Sequence, residues 1–405
     1  MMDTDNSCPK SLAIKITALS AGTPVLDGFS TATAAFLILL IPGLTPWEIG
    51  CFSCLYFAGF LVGSGIFGSI SDRIGRRPVF TFLMGVFAIA AFAPLIKTGT
   101  GILFFTRAVT GLALGGDYPV SQAVVSETIP AVWRNRSLSV LMLGWYIGAI
   151  AGVLIAIPVV QGFLPWEFFF GVEGLVGLLL FLGRISVVLP NITDRRSVRK
   201  AIKNSPKKAL QNFLKSHEIP NFAFCVVFWL CQTIPATVLM FYAPSLISVL
   251  TGNQDGLVQS LLLYVFFLIG VLPATTPFFA KRPKAVLIGT FGLMAVALIL
   301  IAFLGSTHPA IASAFFILYA LAYGLQTPLD FVFPNMLFKE ESRGFWVGII
   351  TAVSRLGALV SALIFPILLN VYPAASLLMG GAAVLIFGLI YLLKNAPKDH
   401  LKNPS

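Results

Sequence analysis

The sequence is poor in charge, since only 11% of its 405 residues are Asp, Glu, Lys or Arg. Soluble globular proteins carry about 25% of these residues, whereas 57% of this chain is hydrophobic. The shortage of charge therefore excludes a soluble domain and predicts a protein that crosses a membrane several times.

Histidine and cysteine are also scarce, with three and five residues. Neither HExxH nor GxSxG occurs, and the histidines fall in predicted loops or in the tail, which argues against a membrane hydrolase. Cys51 and Cys54 form a CxxC inside an apolar stretch without a nearby histidine, and they are predicted to be packing residues. We expect no enzymatic activity, no bound metal and no cofactor.

Acidic residues number 16 against 27 Lys and Arg, which gives a net charge of +11. The surplus lies in predicted loops, so it indicates orientation and contact with anionic lipid headgroups rather than nucleic acid binding. Of the 27 basic residues, 23 fall on one side of the predicted topology. Basic loops stay inside the cell, so both termini are predicted to be cytoplasmic, with the protein in the plasma membrane.

Apolar windows long enough to cross a bilayer recur along the chain and predict an all-α membrane protein with twelve transmembrane helices. A basic stretch divides them into two six-helix bundles, residues 1–189 and 220–405, joined by a cytoplasmic linker at 190–219. The windows are 16–41, 49–70, 79–96, 101–126, 138–160, 166–189, 220–250, 258–280, 285–304, 309–337, 345–369 and 374–393.

The segment between the second and third windows, Gly68 to Arg77, reads GSISDRIGRR. Gly75 suits a tight turn, and Asp72 beside several bases suits a latch between helices. The spacing GxxxDRxGRR resembles the signature loop of the major facilitator superfamily, and with twelve windows and a basic linker the chain is identified as a member. The resemblance implies a monomer whose two bundles rock around a midplane site, giving each membrane face access in turn.

Ionisable residues inside the predicted spans are costly to bury in a membrane, so we expect them to have a functional role. Arg107 and Asp117 share the fourth window but lie about 15 Å apart along the helix axis, too far for a direct pair. Arg184, near the end of the sixth window, is expected to snorkel towards the interface. The remaining interior groups are Asp27, Glu173, Asp330 and Arg355.

With Arg184 at the interface, four interior acids face two interior arginines. A desolvated carboxylate without its own base favours the neutral form, so proton coupling is expected. The predicted coupling residues are Asp27, Asp117, Arg107 and Asp330.

Different windows resemble different branches of the family. The seventh, QTIPATVLMFYAP, is similar to the QxxGINxxxYYAP of sugar porters, with Thr237 at the position of the hydroxyl-binding Asn. The fourth contains the GGDYP of phosphate:proton symporters, and the first, DGFSTA, resembles the DGFDTA of aromatic-acid symporters with Ser30 replacing the second acid. In sugar porters a helix 1 aspartate pairs with the helix 4 arginine, which implies Ser30 opposite Arg107 and leaves Asp27 to substitute or to work with Asp117.

These resemblances imply a secondary transporter of a small polar solute. Among substrates, sugars and organic acids rank ahead of phosphate, and the surplus acids favour cations. Facilitative uniport is an alternative to proton symport, while a non-transporting sensor is disfavoured. The predicted solute-binding residues are Tyr118, Tyr146, Gln232, Thr237, Tyr242, Gln326, Thr327 and Arg355.

A cytoplasmic gate is the last implication of the resemblance, because Arg343 and Gly344 match the family's RG after the tenth helix. Solvated loop ends are the alternative explanation for these charges. The predicted gate residues are Asp72, Arg73, Arg76, Arg77, Glu127, Arg134, Arg136 and Arg343.

Overall fold

The structure is a computed structural model, and it describes residues 9–96, 99–187, 219–251, 256–275, 282–338 and 340–395. Every regular element within these residues is helical, which confirms the predicted all-α class. The chain forms two compact units, residues 1–203 and 204–405. Most of the predicted basic linker, residues 190–218, lies outside the described residues.

Each of the twelve predicted windows contains a helix. The tenth contains two, because Pro328 lacks a backbone N–H and the first of the two helices ends at Gln326. The first unit comprises α1 (Lys10–Leu40), α2 (Pro46–Ile74), α3 (Arg76–Phe92), α4 (Gly99–Thr128), α5 (Ala131–Val160) and α6 (Phe168–Ser186). The second comprises α7 (Ile219–Thr251), α8 (Gly256–Val271), α9 (Pro283–Leu304), α10 (Pro309–Gln326), α11 (Leu329–Leu337), α12 (Glu340–Val371) and α13 (Ala374–Asn395).

Among the described residues, nine helices are long and apolar enough to cross a membrane, namely α1, α2, α3, α5, α6, α7, α9, α12 and α13. Shorter apolar segments lie in α8 and α10. The remaining long helix of the first unit, α4, has 30 residues, but Arg107 and Asp117 interrupt its apolar run.

Glycines bring pairs of helices in the first unit into backbone contact. A Cβ atom on Gly28 of α1 would lie 1.8 Å from the carbonyl oxygen of Trp145 in α5. A Cβ on Gly111 of α4 would lie 2.1 Å from the carbonyl oxygen of Tyr56 in α2, and Gly115 faces α2 in the same way. Gly111 and Gly115 therefore allow the close packing of α4 on α2.

The turn between α2 and α3 depends on one glycine. Gly75 has a φ of 103°, in the left-handed region that favours glycine. The tight turn predicted at Gly75 is therefore confirmed.

At its other end α2 begins with a capping box, in which Thr45 and Glu48 satisfy each other's backbone N–H groups.

Candidate functional site

Three buried polar residues that contact other helices recur along α1. Thr23, Asp27 and Ser30 are spaced by four and three residues and all are buried, so they lie on one face of the helix. Each of the three belongs to a separate polar cluster, built with side chains of other helices in the first unit. We name the clusters after their acids Asp117, Asp27 and Glu173.

In the Asp27 cluster a carboxylate accepts hydrogen bonds from three aromatic side chains. Tyr56 of α2 donates to Oδ1 at 2.5 Å, while Tyr118 of α4 and Trp145 of α5 donate to Oδ2 at 2.9 Å and 3.0 Å. Asp27 is 4% exposed, whereas Tyr118 and Trp145 are only partly buried. All three donors are neutral, and a carboxylate with about four acceptor positions keeps one of them open.

In the Glu173 cluster a serine lies between a guanidinium and a carboxylate. Arg107 Nη1 donates to Ser30 Oγ at 2.7 Å, and Ser30 also hydrogen-bonds Glu173 of α6. The Oγ1 atom of Thr33 lies 3.5 Å from Glu173 Oε1, and Arg107 is within electrostatic reach of that carboxylate. The helix 1 residue that contacts Arg107 is therefore Ser30, while Asp27, one turn away, contacts the aromatic donors.

The Asp117 cluster is a buried ion pair between α4 and α6. Arg184 Nη1 donates to Asp117 Oδ1 at 2.8 Å and Nη2 donates to Oδ2 at 2.9 Å, with both side chains at most 1% exposed. Thr23 and Ser121 donate to the same carboxylate, and the guanidinium lies 3.6 Å from the ring centroid of Phe80 on α3. The cluster thus joins α1, α3, α4 and α6.

The prediction that Arg184 snorkels to the interface is wrong. Its guanidinium donates to the backbone carbonyl oxygens of Phe80 and Leu19 at 2.6 Å and 3.0 Å, besides its bidentate pair with Asp117. These acceptors bind Nη1 and Nη2 of the guanidinium inside the protein, away from the headgroups. Arg107 and Asp117 lie in separate clusters, as their spacing predicted.

Counting Arg184 changes the charge balance of the first unit. Its buried ionisable groups among the described residues are the acids Asp27, Asp117 and Glu173 and the bases Arg107 and Arg184. Since Asp117 and Arg184 neutralise each other, Asp27 and Glu173 share Arg107. One negative charge is left without a basic partner.

In the second unit, the acid Asp330 of α11 is held by an amide. Gln232 of α7 donates to Asp330 Oδ1, and Arg355 of α12 is within electrostatic reach of the same carboxylate. Three predicted site residues from three helices therefore meet, and here the numbers of acids and arginines are equal.

Gln326, at the end of α10, is fully buried, yet neither of its amide atoms has a hydrogen-bond partner among the described residues. The Oε1 atom of Gln232 is buried and unpartnered in the same sense. Buried polar atoms are nearly always paired in native proteins. These two glutamines therefore retain hydrogen-bonding capacity that a ligand or water must satisfy.

Other predicted solute-binding residues are engaged within the protein. Tyr242 donates to the carbonyl oxygen of Ala362 at 2.6 Å and its ring stacks on Phe365 of α12. Thr327 donates to the carbonyl oxygen of Gly324 at 3.0 Å. Tyr146 packs edge-on against Trp145, and Thr237 is 5% exposed. Tyr242 thus has a structural contact that joins α7 to α12.

An apolar cavity of about 520 Å³ lies in the second unit between α7, α12 and α13. Its lining includes Leu230, Ile234 and Leu377 and none of the predicted solute-binding residues. A polar solute finds no charged group on these walls, so the cavity does not mark the candidate site.

Two predicted gate residues form an ion pair between the start of α3 and the last turn of α4. Arg76 of α3 lies 3.0 Å from Glu127 of α4, with side chains 25% and 39% exposed, and it also donates to Ser71 of α2. Arg77 donates to the carbonyl oxygen of Ile185 at 3.4 Å. The side chains of the other predicted gate residues lie outside the described part of the structure: Asp72, Arg73, Arg134, Arg136 and Arg343.

Sequence reasoning missed several members of these clusters. Tyr56 and Trp145 were not predicted to bind Asp27, and Arg184 was not predicted to bind Asp117. The sequence signal that could have indicated these clusters was the spacing of Thr23, Asp27 and Ser30 on α1. Polar residues at intervals of three and four predict one buried face of a helix.

Comparison with known proteins agrees with this architecture. The sequence model of the Major Facilitator Superfamily matches residues 23–334. The putative metabolite transport protein YaaU of Escherichia coli is 25% identical over 417 residues, covering 96% of this chain and 93% of that protein. The glucose transporter GlcP of Staphylococcus epidermidis is 24% identical over 378 residues, covering 84% and 83%. A crystal structure of a D-xylose-proton symporter has a TM-score of 0.78 at 19% identity, over 96% and 99% of the two chains.

Proposed function

We propose that this chain, which belongs to the Major Facilitator Superfamily and is a transporter rather than an enzyme, moves a small polar solute together with a proton. The observation that carries the proposal is the surplus buried acid of the first unit, where the pair of Asp117 with Arg184 leaves one arginine, Arg107, for the two acids Asp27 and Glu173. An isolated buried carboxylate is expensive in its ionised form. A proton taken up with the solute removes that expense and is released on the other side.

The solute is proposed to be a sugar or an organic acid, bound while the two bundles open alternately to each side of the membrane. The unpartnered amide atoms of Gln232 and Gln326 support a hydroxyl-rich solute, because a hydroxyl both donates and accepts. Arg355 supports a carboxylate. The name of the similar glucose transporter GlcP makes glucose the first sugar to test.

Phosphate is disfavoured by one observation. Asp117 of the GGDYP segment is fully engaged by Arg184, Thr23 and Ser121. A carboxylate so engaged offers no acceptor position to an incoming ligand. Facilitative uniport remains the principal alternative, because it needs the same solute site and no protonation.

The protein is an integral membrane transporter. We place it in the cell membrane as a monomer with both termini in the cytoplasm, supported by the distribution of its basic residues. The basic loops would then contact anionic headgroups of the inner leaflet.

Thermal stabilisation of the detergent-purified protein comes first, with D-glucose, D-xylose, nicotinate and inorganic phosphate as probes, because a ligand of the native state raises the melting temperature. Uptake into proteoliposomes follows, with and without an inward proton gradient. We expect the gradient to drive accumulation of a sugar or of nicotinate. Exchange that proceeds without any response to the gradient would establish a facilitator instead.

A further inference from the structure

We propose that Glu173 carries the coupling proton, that Ser30 positions it, and that Asp27 serves as a hydrogen-bond acceptor. This inference rests on the proposed proton coupling and assigns it to one carboxyl group. The sequence pointed instead to Asp27, Asp117 and Asp330, and the contacts of each of these acids argue against it as the carrier.

Asp117 has a cation of its own. Both of its oxygens accept from Arg184, at 2.8 Å and 2.9 Å, and a bidentate arginine strongly favours the ionised carboxylate. Protonation of Asp117 would also leave the Arg184 charge buried without a partner. Asp330 accepts from Gln232 and has Arg355 within electrostatic reach, and no other buried acid among the described residues of the second unit competes for that arginine.

Asp27 already accepts hydrogen bonds from three donors. Hydrogen bonds donated to a carboxylate stabilise its charged form, and here they come from Tyr56, Tyr118 and Trp145. A proton on Oδ2 would compete with two of these donors. Asp27 therefore serves best as an acceptor, with one position left for a hydroxyl or N–H of the solute.

The surroundings of Glu173 differ from those of Asp27. It is 2% exposed, and Phe92 and Phe87 of α3 pack against Gly174 and Gly177 on the same helix. From α1 it meets the hydroxyls of Ser30 and Thr33, and from α4 the charge of Arg107.

Among the residues whose side chains the structure describes, Arg107 is the cation that acts on Glu173. The α5 helix has no charged residue between Ser137 and Val160, and its titratable Tyr146 packs against Trp145. When Glu173 binds a proton, Arg107 is left to balance Asp27 and the buried charge of the unit becomes zero. When the proton leaves, the two acids compete for one guanidinium, and the unit carries a net negative charge.

Ser30 allows Glu173 to bind and release the proton in this way. Its hydroxyl accepts from Arg107 Nη1 at 2.7 Å and hydrogen-bonds Glu173, so it links the guanidinium to the carboxylate without adding charge. An aspartate at this position would bind Arg107 directly and take over the proton. The serine therefore moves the protonation site from α1 to α6, and it acts as a positioning residue.

Infrared difference spectroscopy of the full-length protein in lipid, titrated with acid, tests the assignment without a solute. Protonation of a buried carboxyl adds a C=O stretching band. We expect the wild-type protein to show this band and Glu173→Gln to lose it. The matched control Glu167→Gln, at the half-buried residue that precedes α6, should keep it unchanged. Asp27→Asn should keep the band with its midpoint at lower pH, because Arg107 then balances Glu173 alone. Ser30→Ala should keep the band and shift its midpoint. A band that survives in Glu173→Gln, or no band in the wild type, would overturn the inference.

Proton movement in proteoliposomes separates this inference from the proposed function. With D-glucose or nicotinate as the solute, whichever the wild type transports, a pH-sensitive dye reports protons moved per solute. We expect this ratio to fall from about one to zero in Glu173→Gln, with a rate that no longer responds to pH. If the wild type moves solute without protons while the infrared band titrates, the proposed symport fails. If Glu173→Gln still moves protons, Glu173 is not the carrier.

Discussion

Asp117 and Arg184 form a bidentate ion pair, with atom separations of 2.8 Å and 2.9 Å, in which neither side chain is more than 1% exposed. The two residues stand 67 positions apart in the chain. Their pair holds α4 to α6, and the additional bonds of Arg184 to backbone carbonyls hold α1 and α3. The first unit therefore contains one polar cluster whose acid has an arginine of its own, beside the Asp27 and Glu173 clusters, for which one buried arginine remains.

The first prediction concerns this pair. Asp117→Asn leaves the Arg184 charge uncompensated, and breaking a buried pair in this way costs about 3–5 kcal/mol. The apparent melting temperature of the purified protein should fall sharply, and the double variant Asp117→Asn with Arg184→Gln should fall less than the sum of the single changes.

The exposed pair of Arg76 and Glu127 is the matched control, since Glu127→Gln there should cost about 1 kcal/mol or less. Equal effects of Asp117→Asn and Glu127→Gln would contradict a structural role for the buried pair.

The second prediction concerns the backbone contact of α1 with α5. In Gly28→Ala the new Cβ would lie 1.8 Å from the carbonyl oxygen of Trp145, so the helices must separate and the bond from Trp145 to Asp27 must lengthen. Overpacking of this kind costs about 1–3 kcal/mol or more.

Gly65→Ala in α2 is the control, because no atom lies within 4 Å of a Cβ there and alanine favours a helix by about 1 kcal/mol over glycine. Thermal melting should show Gly28→Ala destabilised and Gly65→Ala unchanged or stabilised. The opposite order would show that α1 and α5 do not meet at Gly28.

The third prediction separates the two buried glutamines. Gln326→Leu removes amide atoms that have no partner among the described residues, so the solute-free protein should become more stable, by about 1–3 kcal/mol. Gln232→Leu removes the donor to Asp330 and should be destabilising.

Solute affinity is the second measurement that distinguishes Gln326 from Gln232. If Gln326 binds the solute, Gln326→Leu should weaken the affinity for the transported sugar or acid by about tenfold, equivalent to about 1.4 kcal/mol. A variant that is both less stable and normal in affinity would refute a ligand-binding role for Gln326.

The fourth prediction concerns the Asp27 cluster. Trp145→Phe keeps an aromatic ring but removes the Nε1–H that lies 3.0 Å from Asp27 Oδ2. A hydrogen bond to a charged group contributes about 1.5–3 kcal/mol, so the melting temperature should fall. Trp166→Phe makes the same chemical change at the start of α6, where the ring packs on Phe170, and should have a smaller effect. Equal effects would indicate loss of ring packing rather than loss of the donor.

Much of the fold could be predicted because its signals are local. An apolar run of sufficient length predicts a spanning helix. Each of the predicted windows contains a helix, and nine helices among the described residues are long and apolar enough to span. Gly75 was identifiable because a signature loop places it at a turn that needs a positive φ. The division at Pro328 was not predicted, because proline is tolerated in other membrane helices here, including Pro119 in α4.

The candidate site was only partly predictable, because helical spacing gives the face of a side chain and not its neighbour. Spacing correctly separated Arg107 from Asp117. It did not assign Arg184, since a long basic side chain near a helix end reaches the interface or the interior equally well. That choice depends on whether acceptors stand within hydrogen-bond distance, and those acceptors come from α1, α3 and α4.

The sequence by itself determined that this protein is an all-α membrane transporter of the Major Facilitator Superfamily, because hydrophobicity, loop charge and the GxxxDRxGRR segment are properties of neighbouring residues. Only the tertiary structure decided which buried charges are neutralised. Arg107 meets Ser30 across 77 residues and Arg184 meets Asp117 across 67. Ion pairs and hydrogen bonds form only within a few ångströms, and helix packing alone sets those distances.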